Sequence, residues 1–214
     1  MSVRALTPLH RPLLAAAALL LGAATLGTPA RAADTYKLDP AHTNVGFTVR
    51  HFFSKVPGHF TKFDGTIAYD EKDITQSKVD VTIDTASIDT SVPDRDKHLR
   101  SPDFFDAEKY PKITFTSTKV KPNGNNKIQI EGNLTIRGVT KPVVLEVDAL
   151  GAGPDAWGGY RAGFEAHTKI NRQDFGVSWN KAIEGGGTLL SDDVDIVINI
   201  EAVKQVPKPA DAKK

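Results

Sequence analysis

Five histidines that follow residue 32 are the side chains most able to do acid–base or metal chemistry. No HExxH segment, which would place two histidines and a glutamate on one helix face, occurs. The nucleophile elbow GxSxG is missing, and the triple glycine 185–187 lacks the Lys-Ser/Thr pair of a phosphate-binding loop. We therefore predict no catalytic residue, no metal and no cofactor. A metal site in which His42, His51 and His59 meet in space stays as the alternative. The five are His42, His51, His59, His98 and His167.

Composition narrows the function classes further. The 214 residues carry 27 Lys+Arg against 26 Asp+Glu, so the chain lacks the basic excess that nucleic-acid binding needs. The absence of cysteine excludes disulfides, thiol nucleophiles and cysteine-ligated metals, and it also excludes a lipoprotein anchor. A core of ordinary size must therefore hold the fold together by itself.

The first 32 residues have the pattern of a secretory signal. Arg4 and Arg11 precede an uncharged apolar run, Leu13–Leu26, and Ala30-Arg31-Ala32 has the small-x-small form of a cleavage site. The alternative is a membrane anchor, but the run is shorter than the roughly 20 residues that span a bilayer. We predict cleavage after Ala32 and a bacterial periplasmic location. The Pro-rich tail 205–214 is predicted to be disordered.

A two-residue alternation of apolar and polar side chains dominates the rest of the chain. Such alternation is typical of strands that are dry on one face and wet on the other, which antiparallel sheets tolerate. We predict eight strands, and turn residues such as those at 122–126 and 137–140 separate several of them. The strands are Asn44–His51, Thr66–Tyr69, Lys78–Asp84, Ile113–Val120, Lys127–Arg137, Val143–Asp148, Arg161–Ile170 and Asp193–Glu201.

One segment, at about 93–110, breaks this alternation. Pro93 and Pro102 can each begin a short helix, and Ser101 suits the N-cap of the second. Phe104 and Phe105 then add apolar bulk. We predict a short helical insertion whose two phenylalanines close one end of the β structure.

An antiparallel sheet with one dry face must close on itself or pair with a second sheet, so a barrel and a sandwich are both compatible with the pattern. Eight strands that close leave an interior that side chains fill or that holds one small ligand. The periodicity does not decide between these alternatives, and a solid core explains the composition of the inner faces without any ligand.

Four groups of segments resemble the YceI-like family of exported lipid-binding proteins. They occur in family order and cover nearly all of the chain after residue 32, and the second group is the most specific because of its length. The groups are Leu38–Phe47 with Val49–His51 and Val56–Phe60; Asp94–Asp106 with Tyr110–Phe115; Gly132–Val143; and Ile170–Val177.

The resemblance implies an all-β, eight-stranded antiparallel lipocalin-like barrel over residues 33–204. It implies that the interior binds a long isoprenoid chain or a similar amphiphilic lipid, that the protein is periplasmic and often a homodimer, and that it is not an enzyme. Transient contact with a membrane or membrane proteins is compatible with this role. Two other functions remain open, namely a stress-related protein that acts through a protein partner and an enzyme on a small periplasmic substrate.

On each predicted strand, every second side chain faces the interior, and we call this property inward parity. The residues with inward parity are candidate ligand-binding residues. Aromatic side chains are candidates for the ends of the interior, and Arg95 and His98 are candidates for contact with a polar head group. The alternative for Arg95, Asp96 and His98 is that they attach the helical insertion to the barrel. The predicted lining is Val45, Phe47, Val49, Val81, Ile83, Phe115, Leu134, Ile136, Val143, Leu145, Phe164 and Ile170, and the predicted end residues are Phe52, Phe60, Phe104, Phe105, Phe175 and Trp179.

Overall fold

A computed structural model describes residues 33–184 and 186–206. The predicted signal segment and residues 207–214 of the predicted tail lie outside the described residues. This part of the chain contains eleven β-segments, one α-helix and three short 3₁₀ helices, Ile74–Gln76, Thr85–Ser87 and Arg172–Phe175. In chain order the β-segments and the α-helix are β1 Asp34–Leu38, β2 Asn44–His51, β3 Ser54–Phe60, β4 Phe63–Tyr69, β5 Lys78–Asp84, β6 Ile88–Asp89, α1 Pro93–Arg100, β7 Lys112–Pro122, β8 Lys127–Ile136, β9 Val139–Pro154, β10 Tyr160–Asn171 and β11 Leu190–Lys204.

The segments form one closed antiparallel barrel of eight strands, which confirms the predicted fold class. Three barrel strands are interrupted: β1 continues as β2, β3 as β4, and β5 as β6. Every strand pairs with the next along the chain, and β11 closes the ring by pairing with both β1 and β2. No pairing crosses over, so the barrel is an up-and-down meander.

The interruptions follow from local hydrogen bonding. Between β1 and β2 the chain turns outward, and Glu201 of β11 bonds to both sides of the gap. Its carbonyl accepts from the Asp39 amide at 2.9 Å and from the Thr43 hydroxyl at 3.0 Å. Ser87 does the same for the second break, because its hydroxyl accepts from the Lys62 amide and its carbonyl accepts from the Thr61 amide.

Because strand direction alternates, the connections lie at two ends of the barrel. The mouth end carries the β2–β3 turn, the α1 segment, the β8–β9 turn and the described parts of the connection from β10 to β11, residues 172–184 and 186–189. The floor end carries the connections 70–77, 123–126 and 155–159. The β8–β9 turn has positive φ at both central residues, Arg137 (49°) and Gly138 (75°), as a two-residue type I′ turn requires.

The predicted helical insertion lies between β6 and β7 but contains one helix instead of two. Residues 101–110 form turns, and Ser101 caps the C-terminus of α1 because its hydroxyl donates to the His98 carbonyl at 2.7 Å. Backbone hydrogen bonds run from this segment back to the carbonyls of Ser101 and Arg100. The residues after Pro102 therefore form turns instead of a second helix. Within the described ranges, no helix is long and apolar enough to cross a membrane.

Candidate functional site

The barrel interior holds a cavity of about 420 Å³ that begins at the mouth end. All eight barrel strands and the α1 segment contribute side chains to its wall, and most of these are aliphatic or aromatic. Within the described residues, the wall contains no carboxylate. Its polar members are His51, Thr90, Arg95, His98, Thr168 and Arg172.

Packed aromatic side chains close the floor end of this cavity. Tyr36 is fully buried, and its ring meets Tyr69 edge-to-face at 6.0 Å between centroids; Tyr69 meets Phe164 in the same way at 5.1 Å. The Tyr36 hydroxyl donates to Glu71 at 3.4 Å, and burial, with the nearby Glu71 carboxylate, raises the pKa of Tyr36 above its ordinary value. The floor is therefore a plug of packed rings whose tyrosine stays protonated.

A second aromatic cluster partly covers the mouth end. His98, Phe104 and Trp179 contact one another with ring centroids 5.0 to 5.2 Å apart. His98 is oriented by Asp103, whose carboxylate lies 2.8 Å from Nε2. Phe105 reaches further inward and meets Phe60 of β3 at 6.1 Å. The α1 segment therefore forms the rim of the opening.

Side-chain hydrogen bonds hold this rim in place. The buried Asp96 accepts from the Thr90 amide at 2.9 Å and from the Thr90 hydroxyl at 2.5 Å. Arg95 donates from Nε to the same hydroxyl and from Nη2 to the Thr90 carbonyl, both at 2.7 Å. These contacts support an attachment role for Arg95 and Asp96. They leave Arg95 Nη1 without a bond to any described residue, while the side chain lies on the cavity wall.

Arg172 is a buried cation at the edge of the cavity, and the protein itself satisfies it. Its guanidinium donates to the carbonyls of Ser191, Val177 and Trp179 at 2.6 to 2.9 Å, and to Asp192 at 3.2 Å. Burial lowers the pKa of Arg172, and Asp192 opposes that shift. This residue joins the loop after β10 to β11 and uses four of its five N–H donors within the protein.

Two glycines let aromatic rings lie flat against the wall and so keep the cavity open. A Cβ on Gly58 would lie 2.9 Å from Cε1 of Phe47, and one on Gly132 would lie 2.5 Å from Cε2 of Phe115. Real Cβ atoms do not approach that closely, so each ring occupies the space that a side chain would take. Both phenylalanines line the cavity.

Comparison with known proteins identifies the family. The YceI-like domain family matches residues 36–202. The chain belongs to this family. Protein YceI of Escherichia coli O17:K52:H18 is 48% identical over 177 residues, which cover 81% of this chain and 88% of that protein.

Two solved structures resemble the YceI-like barrel described here. BcnA of Burkholderia cenocepacia has a TM-score of 0.68 at 27% identity, covering 77% of this chain and 98% of that one. A polyisoprenoid binding domain from Saccharophagus degradans has a TM-score of 0.57 at 16% identity, covering 82% and 100%; this likeness shows the fold alone.

All predicted ligand-binding residues except Phe52 and Phe164 lie on the cavity wall of this YceI-like barrel. Phe164 has the predicted inward parity, but it lies nearer the floor end, where it packs against Tyr69. Phe52 lies in the β2–β3 turn outside the cavity and is 38% exposed. Both residues are absent from the wall because of their position along the barrel axis. Alternation along a strand predicts which way a side chain faces but not that position.

The cavity wall also includes residues that the sequence reasoning did not select. Several lie on β11, a strand whose alternation is clear in the sequence but which contributes no residue to the predicted lining. The same inward parity was the signal that could have identified them. They include Val194, Ile196, Ile198 and Ile200 of β11, and Leu38, Val56, Val79, Leu99 and Ile113 elsewhere.

Asp39, His42 and Glu201 form the one group of possible metal ligands within the described part of the chain, and it lies on the outer wall. Arg161 already donates to the carboxylates of Asp39 (2.6 Å) and Glu201, so an ion would have to displace it. The Arg161 and His42 contacts lower the pKa of Asp39 to about 2. This cluster closes the gap between β1 and β2 against β10 and β11.

Proposed function

We propose that this protein binds a long-chain isoprenoid, or a similar amphiphilic lipid, in the barrel interior and carries or stores it without catalysis. The observation that carries the proposal is the cavity itself. It is a single void of about 420 Å³ within a closed barrel, with an almost wholly apolar wall and an aromatic plug at one end. The volume falls within the range of ordinary ligand sites.

The energetics favour a hydrocarbon chain over a polar ligand. Each CH₂ group moved from water to an apolar site contributes about 0.8 kcal/mol, so ten such groups contribute about 8 kcal/mol before ordering costs. Affinity in the micromolar range is therefore reachable without any polar contact. A polar substrate would leave its hydrogen bonds unmade against this wall, which costs about 1–3 kcal/mol for each buried group.

The two ends of the cavity differ, and this gives the ligand an orientation. Tyrosine and phenylalanine rings pack beyond the floor end, whereas His51, Arg95 and His98 lie at the mouth. An amphiphile would therefore enter with its tail first and leave its head near Arg95 Nη1. The polyisoprenoid binding domain of Saccharophagus degradans has the same fold, which is consistent with this arrangement.

The proposal includes a periplasmic location after cleavage at Ala32, where a nearly insoluble lipid needs a dry compartment to cross water. Native mass spectrometry of the exported protein, followed by organic extraction, tests the function. We expect one long hydrocarbon lipid for each barrel, and rebinding of a long-chain prenol to the extracted protein. A barrel that is purified empty and takes up no prenol would overturn the proposal.

A further inference from the structure

The turn between β2 and β3 exposes two adjacent aromatic side chains. Its two central residues are Phe52, which is 38% exposed, and Phe53, which is fully exposed; we call this pair the Phe52–Phe53 tip. Their rings lie 6.1 Å apart, and Phe52 also contacts the His51 ring at 5.3 Å. Isolated exposed apolar residues are ordinary, but a paired aromatic tip on a tight turn is a concentrated apolar projection.

The local sequence is poorly suited to the turn that it forms. Phe52 has a φ of 50°, a left-handed conformation that a bulky residue adopts rarely. Two-residue hairpins usually place Gly, Asn or Asp at such positions. Folding alone therefore does not explain a phenylalanine here, and local strain of this kind is typical of functional segments.

The Phe52–Phe53 tip is attached rigidly to the rim of the cavity. The Phe52 amide donates to the Leu189 carbonyl at 3.0 Å, and Leu189 lines the cavity. Arg50 donates from Nη1 to the Phe52 carbonyl at 2.7 Å. His51, the residue before the tip, is also on the cavity wall. The tip therefore projects from the same end as the opening.

Basic side chains surround the Phe52–Phe53 tip. Arg50 precedes it, and Lys181 lies on the adjoining strand of the loop, where its carbonyl accepts from the Leu189 amide at 2.9 Å. Among the described residues, neither side chain has an acidic partner. Lys55 follows the tip and lies 4.0 Å from Asp195. Acidic residues nearby are Asp174 and Glu184 of the loop and Asp192 and Asp193 of β11, and Asp192 pairs with Arg172. Arg50 and Lys181 are therefore basic side chains beside the tip that no carboxylate of the described residues neutralises.

From these observations we infer that the Phe52–Phe53 tip inserts into the head-group region of an anionic lipid bilayer and holds the cavity mouth against the membrane. Aromatic rings favour the membrane–water interface, and nearby lysines and arginines are attracted to anionic lipid. The inference deepens the proposed function, because a mouth pressed to a bilayer lets a lipid tail move into the barrel without crossing water.

Vesicle flotation of the full-length exported protein tests the inference. The vesicles contain phosphatidylethanolamine and phosphatidylglycerol, and phosphatidylcholine vesicles give the comparison. We expect binding to the anionic vesicles, a loss of about tenfold or more in partitioning for Phe53→Ser, and a loss of about fivefold for Lys181→Gln. Phe53 makes no packing contact that would unfold the barrel when it is replaced, since its side chain is fully exposed.

The matched controls lie at the floor end. Trp157→Ser removes an aromatic residue that is 82% exposed, and Lys72→Gln removes an exposed lysine from the connection 70–77. Both variants should bind vesicles as the unmodified protein does. The inference fails if the unmodified protein does not float with anionic vesicles, or if Phe53→Ser binds no more weakly than Trp157→Ser.

A second measurement separates this inference from the proposed function. Lipid bound to the purified protein is quantified for the unmodified chain and for Phe53→Ser. A protein that holds no lipid but still needs Phe53 for flotation would refute the carrier and leave the membrane tip standing. A protein that holds lipid and floats independently of Phe53 would refute the membrane tip and leave the carrier proposal standing.

Discussion

The glycine at position 58 gives the sharpest test of the open cavity. In Gly58→Ala, the new methyl group would lie 2.9 Å from Cε1 of Phe47 and 2.9 Å from Cγ2 of Thr90. Optimal carbon–carbon contacts are about 3.5–4.0 Å, so the Phe47 ring must move by about 1 Å or rotate. Since the wall is behind it, the ring moves into the space that we propose for the ligand.

The expected effect on binding can be stated from the volume that the ring takes. If the displaced ring excludes two CH₂ groups of the ligand, the loss is about 1.6 kcal/mol, which corresponds to roughly 15-fold weaker binding. The ring moves into a void, so its displacement costs less stability than core overpacking, which costs about 1–3 kcal/mol. The clash with the buried Thr90, which Asp96 and Arg95 hold in place, adds to this cost. Gly→Ala replacement itself stabilises by about 0.4–1 kcal/mol through the unfolded chain.

Prenol titration followed by tryptophan fluorescence, together with thermal unfolding, measures both quantities. Gly163→Ala on β10 is the matched control, because its Cβ would meet Leu150 at an ordinary 3.7 Å. Adding Phe47→Leu to Gly58→Ala should restore binding, since the smaller side chain removes the clash. Unchanged affinity in Gly58→Ala would refute the idea of an open lumen beside Phe47.

Three further predictions concern the wall, the rim and the outer ionic cluster. Leu134→Trp should cut bound lipid to less than about half while costing under about 1.5 kcal/mol of stability, because the indole enters the void; mass spectrometry showing full lipid content would contradict this. Arg95→Ala should lower the unfolding free energy by about 1–3 kcal/mol through the lost bonds to Thr90, whereas lipid loss at an unchanged melting temperature would make Arg95 a ligand contact instead. Asp39 has a folded pKa of about 2 against an ordinary 3.8, so its contribution of about 1–2 kcal/mol is present above pH 4 and is lost as the pH falls towards 2. Asp39→Asn should lose that pH dependence in acid unfolding curves, and parallel curves for the two proteins would be inconsistent with the Arg161 contact.

The sequence pattern predicted the strands well because alternation is a local property, whereas the choice of a barrel over a sandwich came from the family resemblance. Each of the eight predicted strands corresponds to one barrel strand. The interruptions were missed because they depend on distant partners: the gap after β1 forms around Glu201, and β6 is only two residues long. The strand β3 was not predicted because Gly58 occupies an inward position where an apolar side chain would be expected. The Phe47 ring of β2 fills that position instead.

The sequence predicted the apolar character of the cavity wall but not how far the cavity extends along the barrel. Inward parity placed most candidates on the wall, yet Phe164 and Ile170 share one face of β10 while only Ile170 reaches the cavity. The boundary between void and plug depends on how rings from β1, β4 and β10 meet, and no single strand encodes that. Whether the interior is hollow depends on Gly58 and Gly132, where the absence of a side chain makes room for a ring from a neighbouring strand.

Because the aromatic plug closes the floor end, a ligand would enter and leave the cavity through the mouth end. A guest that goes in tail first can leave only by retracing its path, so loading and unloading share one route and compete for it. The depth from the mouth to the Tyr36–Tyr69–Phe164 layer also limits the length of lipid tail that fits, since a longer tail must fold back or protrude into water.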